Sequence, residues 1–169
     1  MTNGSTDMFT YTHLQHYKSR GARAMVLLHE THLKNFLATW RRARAAGIKL
    51  PQTDDPNYQS LDHLLHHLLR AARGYMVWIC RVLELPDPNI ESPPLPADVE
   101  GQADLYLTHL LEKWRLSLVD VENSRLDSPS YKSNWNMDYT IDSMLEHAVM
   151  HPIRHTFQLE ELIAQQSTT

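Results

Sequence analysis

Apolar residues return every three to four positions through four long stretches of this chain, and no stretch alternates with the two-residue period of a strand. A chain patterned in this way must bury four apolar helix faces against one another. The spacing predicts helices over roughly Ala22–Ala46, Ser60–Glu84, Ala97–Val121 and Tyr139–Ala164. In the first, Met25, Leu28, His32, Phe36 and Trp40 share a face, and Gly47 with Pro51 beyond it stops the helix. The residues ahead of Ala22 read as an arm or a short turn. In the second, Leu61, Leu64, Leu65, Leu68, Ala72, Met76 and Ile79 form the stripe, and Ser60 suits the N-cap. Pro86, Pro88, Pro93, Pro94 and Pro96 make the following stretch a crossover. Leu107, Leu110, Leu111, Trp114, Leu118 and Val121 mark the buried side of the third helix. The polar loop Glu122–Asp138 carries Tyr131, Trp135 and Met137, which predicts that it packs back on the helices. The expectation is one all-α domain over residues 1–169, a four-helix bundle.

With 169 residues the chain is long enough to bury such a core without disulfides. Its single cysteine, Cys80, rules out an intrachain bridge and fits a reducing compartment. A net charge of -4 offers no basic field for a nucleic-acid backbone. Met1–Asp7 lacks the pattern of a signal peptide, and no apolar run reaches the ~20 residues of a membrane span. A cytoplasmic protein without nucleic-acid or membrane partners is expected.

Function is written in the histidines. There are eleven, and six fall in two groups, His63, His66 and His67, then His147, His151 and His155. At about 100° per residue the core side of the fourth helix is set by Ile141, Leu145, Ala148, Leu159 and Ile163. His155 lies within about 50° of that direction, His151 about 90° and His147 about 130° away. His151 and His155 therefore face inward one turn apart, a spacing that lets two imidazoles ligate one ion. Two ligands seldom make a site, so a third must come from another helix. On the second helix His66 projects away, whereas His67 shares a line with Ser60, Ala71, Gly74 and Trp78. The small Ala71 and Gly74 leave space there, and Gly74 implies either a ligand or a close helix contact. Pro152 removes a backbone hydrogen bond beside His151 and predicts a kink.

The rest read more plainly. His29 and His32 are structural, with His32 on the core stripe, and His13, His16 and His109 have no evident partner. Cys80 lies almost opposite His67 and belongs to the core. Glu146, Glu160 and Glu161 read as a solvated face. Tyr75, Trp114 and Trp135 are core or rim aromatics, and Trp78 is a pocket wall.

Two segments carry a resemblance. His151-Pro-Ile-Arg-His155-Thr-Phe-Gln158 is similar to the last-helix histidine segment of the DinB/YfiT-like superfamily, with Thr156 and Phe157 where Arg-Gly is common. Ser60-Leu-Asp-His-Leu-Leu-His-His67-Leu68 resembles the family's second-helix segment, with His67 at the ligand position and His63 as the alternative. The resemblance implies an up-down-down-up bundle, often a homodimer, in which His67, His151 and His155 hold one divalent ion, Zn or Ni. It also implies a small-molecule substrate and, by analogy with bacillithiol transferases and mycothiol-dependent isomerases, a low-molecular-weight thiol.

Three neutral imidazoles leave an ion its full charge and an open position, which is the arrangement of a catalytic site. Thiol transfer or hydrolysis would follow. The other reading is a non-catalytic metal- or ligand-binding stress-response bundle, in which His63 or His147 would complete the coordination. An enzyme should instead keep a pocket near Gly74 and Trp78. Ligation by histidine further predicts that metal affinity falls on acidification through about pH 6.5.

Overall fold

Four α-helices dominate residues 16–166, the part of the chain described by the computed structural model. They are α1 (Arg20–Ala45), α2 (Leu61–Val82), α3 (Val99–Ser117) and α4 (Ile141–Gln166). Met1–Asp7, most of the N-terminal arm, His13 and the end of the C-terminal tail lie outside the described residues.

Local chemistry sets each boundary. Ser19 caps α1 by accepting from the Ala22 N–H at 3.1 Å. At the other end Gly47 takes φ +68°, Ile48 N–H returns to the Ala43 carbonyl and Gly47 N–H to that of Arg44. Ser60 caps α2, as its sequence position foretells. That helix ends at Val82, two residues short of the expected Glu84, because Glu84 adopts φ +54° and closes the same kind of turn. The third helix is shorter than expected at both ends, and α4 starts at Ile141, where the Thr140 hydroxyl accepts from the Ser143 N–H.

Two expectations need correction. The absence of strands fails on a small scale: Tyr131–Lys132 (β1) and Asp138–Tyr139 (β2) pair antiparallel inside the expected loop. Strands of two residues are too short to show any period in the sequence. The buried face of α1 is also rotated from the one predicted. Ala22, Val26, His29, Leu33, Phe36, Leu37 and Trp40 are buried, whereas Leu28 is 45% exposed and His32 half-buried. The stripes on α2 and α3 are buried as expected.

All four helices feed one apolar core. Trp40 and Trp114 are fully buried, and each donates its indole N–H to a carbonyl of α2, Leu61 at 2.6 Å and Ala72 at 3.0 Å. The polar atom is satisfied, so the large ring contributes its full apolar burial. Arg115 of α3 grips Glu30 of α1 in a two-point ion pair, which Lys34 completes. Burial alone would raise the Glu30 carboxyl, but the Arg115 and Lys34 charges hold it below its ordinary value. The C-terminal halves of α1 and α4 meet: Thr39 and Arg42 donate to Glu160, and Gln166 donates to the Ala46 carbonyl. Glu160 is thus a tie between helices on a face that stays partly solvated. Arg44, near the end of α1, pairs with Asp62 and Glu100, in the first turns of α2 and α3. The loop before α4 does pack back, since Trp78 of α2 donates to the Lys132 carbonyl at 3.0 Å.

Candidate metal centre

His151 and His155 sit on successive turns of α4 and His67 on α2 opposite them. One ligand atom from each lies within 4.8 Å of the other two. Ring centroids are 4.9 Å apart for His67 and His151, 4.8 Å for His151 and His155, and 5.8 Å for His67 and His155. The helix repeat brings the α4 pair together, and the buried stripes of α2 and α4 carry His67 to them.

Two of the three outer ring nitrogens are already engaged. His155 Nδ1 is 2.8 Å from Gln158 Oε1, an acceptor, so Nδ1 carries the proton and Nε2 carries the lone pair. His151 Nδ1 lies 3.2 Å from the Tyr75 hydroxyl. His67 Nε2 and His151 Nε2 face each other at 3.1 Å. Two ligands about 2.0–2.1 Å from a tetrahedral ion stand about 3.3 Å apart, so this pair is already at ligand separation. His67 Nδ1 is buried without a partner. The donor set, three imidazoles with two outer nitrogens supported, is compatible with one divalent ion.

Electrostatics agree with that set. Burial lowers the pKa of all three imidazoles, His67 to about 4 and His151 to about 2, and the facing rings and Arg154 push the same way for His151. The imidazoles are held neutral, the form that ligates a metal.

The remaining histidines stand apart. His63 has a ring nitrogen 2.9 Å from the Ser60 hydroxyl, and His66 one 2.7 Å from the Pro94 carbonyl. His109 accepts from the Glu91 N–H. His147 lies one turn from His151, with ring centroids 6.4 Å apart, and packs against Tyr75, Trp135 and Tyr139. His29 is buried against Trp114 at 3.8 Å with neither ring nitrogen partnered, and burial lowers its pKa to about 3. Neither His29 nor His32 belongs to the cluster.

Beside the triad opens a cavity of about 560 Å³. His67, Ala71, Gly74 and Trp78 line it, four of the five residues that share one helical line in the sequence. A Cβ added at Gly74 would meet nothing within 4 Å, so the glycine marks open space and not a close helix contact. Tyr75 and Trp135 line the cavity too, which makes them more than core or rim aromatics. Sequence reasoning missed Tyr58, whose hydroxyl reaches 3.4 Å from His155 Nε2. It precedes α2 in a 3-10 turn, Pro56–Tyr58, where no helical period could point to it. A scan of protein-family models, a search of curated proteins and a search of solved structures each find no match to this chain.

Proposed function

We propose that this chain is a DinB/YfiT-like bundle of up-down-down-up order and a metal-dependent enzyme. His67, His151 and His155 hold one divalent ion, Zn or Ni, and the reaction is thiol transfer to, or hydrolysis of, a small molecule. The order is supported by where the ends meet. The last turns of α1 and α4 lie together, while α2 and α3 both begin beside the end of α1. The observation that carries the functional reading is the convergence of three neutral imidazoles, two of which, His67 and His151, line a cavity. A non-catalytic binder would be expected to fill the fourth position with protein, but neither His63 nor His147 joins the cluster.

The ion supplies Lewis acidity toward a water or a thiol. The chain does the rest. Gln158 and Tyr75 fix the rings of His155 and His151 from behind. The Tyr58 hydroxyl, 3.4 Å from His155 Nε2, is close enough to the triad to hold or deliver a proton on a group bound there. Trp78, Trp135 and Tyr75 keep one flank of the cavity apolar.

Elemental analysis of tag-free protein tests the reading. About one equivalent of metal per chain is expected, lost in His67→Ala and in the His151→Ala/His155→Ala double variant. Protein that takes up no ion even after reloading with Zn and Ni would refute it. Metal-loaded protein should then be assayed for hydrolysis and for transfer of a low-molecular-weight thiol, with Tyr58→Phe expected to lower turnover by about 10²-fold while keeping its metal.

A further inference from the structure

The lining of the cavity has a charge opposite to that of the protein. The chain carries 20 acidic and 16 basic residues, yet no carboxylate lines the cavity and two guanidinium groups do, Arg70 and Arg154. Arg70 donates to a neutral partner, the Asn57 side-chain oxygen, at 3.3 Å. Arg154 takes part in none of the ion pairs among the described residues. It sits on α4 between His151 and His155, and its charge opposes protonation of His147, His151 and His155. Arg154 is exposed at the rim of a cavity that no carboxylate lines, and an arginine so placed can grip an oxyanion through two parallel N–H groups. The same cavity is walled by three aromatic rings, the buried Tyr75 and Trp78 and the 45% exposed Trp135, and its volume lies within the usual range for small-molecule sites.

We infer that the cavity is a subsite for a small molecule with a carboxylate at one end and a flat apolar body, the carboxylate pairing with Arg154 and the body lying against Tyr75, Trp78 and Trp135. The inference rests on the metal-centre reading for its meaning, since the triad would then act on the part of the ligand that faces it. Its charge argument stands on the lining alone.

The test measures binding of 3-phenylpropanoate and of its uncharged amide by calorimetry, with full-length protein both metal-loaded and stripped of metal by a chelator then removed by dialysis. The acid is expected to bind at least about tenfold more tightly than the amide in both forms. Arg154→Gln should abolish that preference and Arg154→Lys should keep part of it. Gly74→Leu, which projects a side chain into the cavity and favours the helix, should weaken binding of both probes without loss of thermal stability. Equal binding of acid and amide, a preference that survives Arg154→Gln, or binding of neither probe would overturn the inference. A preference seen only with metal present would also overturn it, by placing the carboxylate on the ion. Because metal content is measured separately, loss of the metal reading and loss of the carboxylate subsite are distinct results.

Discussion

His67, His151 and His155 owe their chemistry to where they are buried. A free imidazole titrates near 6.5, and a solvated three-histidine site would lose metal through that range. Burial instead lowers His67 to about 4 and His151 to about 2, with His155 shifted the same way. The sign is direct. With the folded pKa depressed, the neutral, metal-competent ring persists above that value and is lost only as pH falls through it. Metal affinity is therefore expected to hold as pH falls into the free-imidazole range and to drop only below it, as the first of the three rings takes a proton. This replaces the expectation of a fall through pH 6.5. Competition titration against a chelating dye, corrected for the dye's own protonation, checks it. A fall centred near 6.5 would mean that the imidazoles are solvated. Sequence spacing could pair His151 with His155 but could not supply these shifts, because desolvation depends on residues far away in the chain.

The helices end by a shared device with different residues. After α1 the left-handed position is Gly47, which adopts φ +68° without steric cost. After α2 it is Glu84, at φ +54°, where a side chain is strained. Its turn is otherwise complete: Leu85 N–H reaches the Cys80 carbonyl at 2.8 Å and Glu84 N–H that of Arg81 at 3.2 Å. Glu84 is exposed and forms none of the ion pairs among the described residues. Glu84→Gly should therefore stabilise the protein by about 0.5–1 kcal/mol, seen as a higher urea midpoint at unchanged slope. An unchanged or lower midpoint would show that the strain is relieved elsewhere. Gly47 was legible as a stop because glycine is the usual residue there. Glu84 was not, since nothing about glutamate announces a left-handed residue, and the predicted helix overran accordingly.

For the molecule as a whole, the triad ties α2 to α4, whereas the core joins all four helices without it. Metal should therefore add stability without being required for folding. Chelator-treated protein is expected to keep its helical circular dichroism and a cooperative thermal transition. Ion present at about 100 times its dissociation constant should add about 2.7 kcal/mol, read as a raised midpoint. Collapse of the helical signal on chelation would mean that the ion is structural. Among the described residues no helix is long and apolar enough to cross a membrane.

The sequence by itself determined four helices, their caps at Ser60 and Gly47, the buried stripes of α2 and α3, and the inward pair His151 and His155. These are local properties, settled by the helical repeat and by capping groups within a few residues of where they act. Only the tertiary structure decided that α1 turns His29 inward and Leu28 outward, that Glu160 ties α4 to α1, and that Tyr58 faces His155. It alone also placed Arg154 beside an acid-free cavity. The physical reason is common to all four. Where helices pack, which face is buried and which charge is left unpaired depend on surfaces that meet only after distant segments have come together.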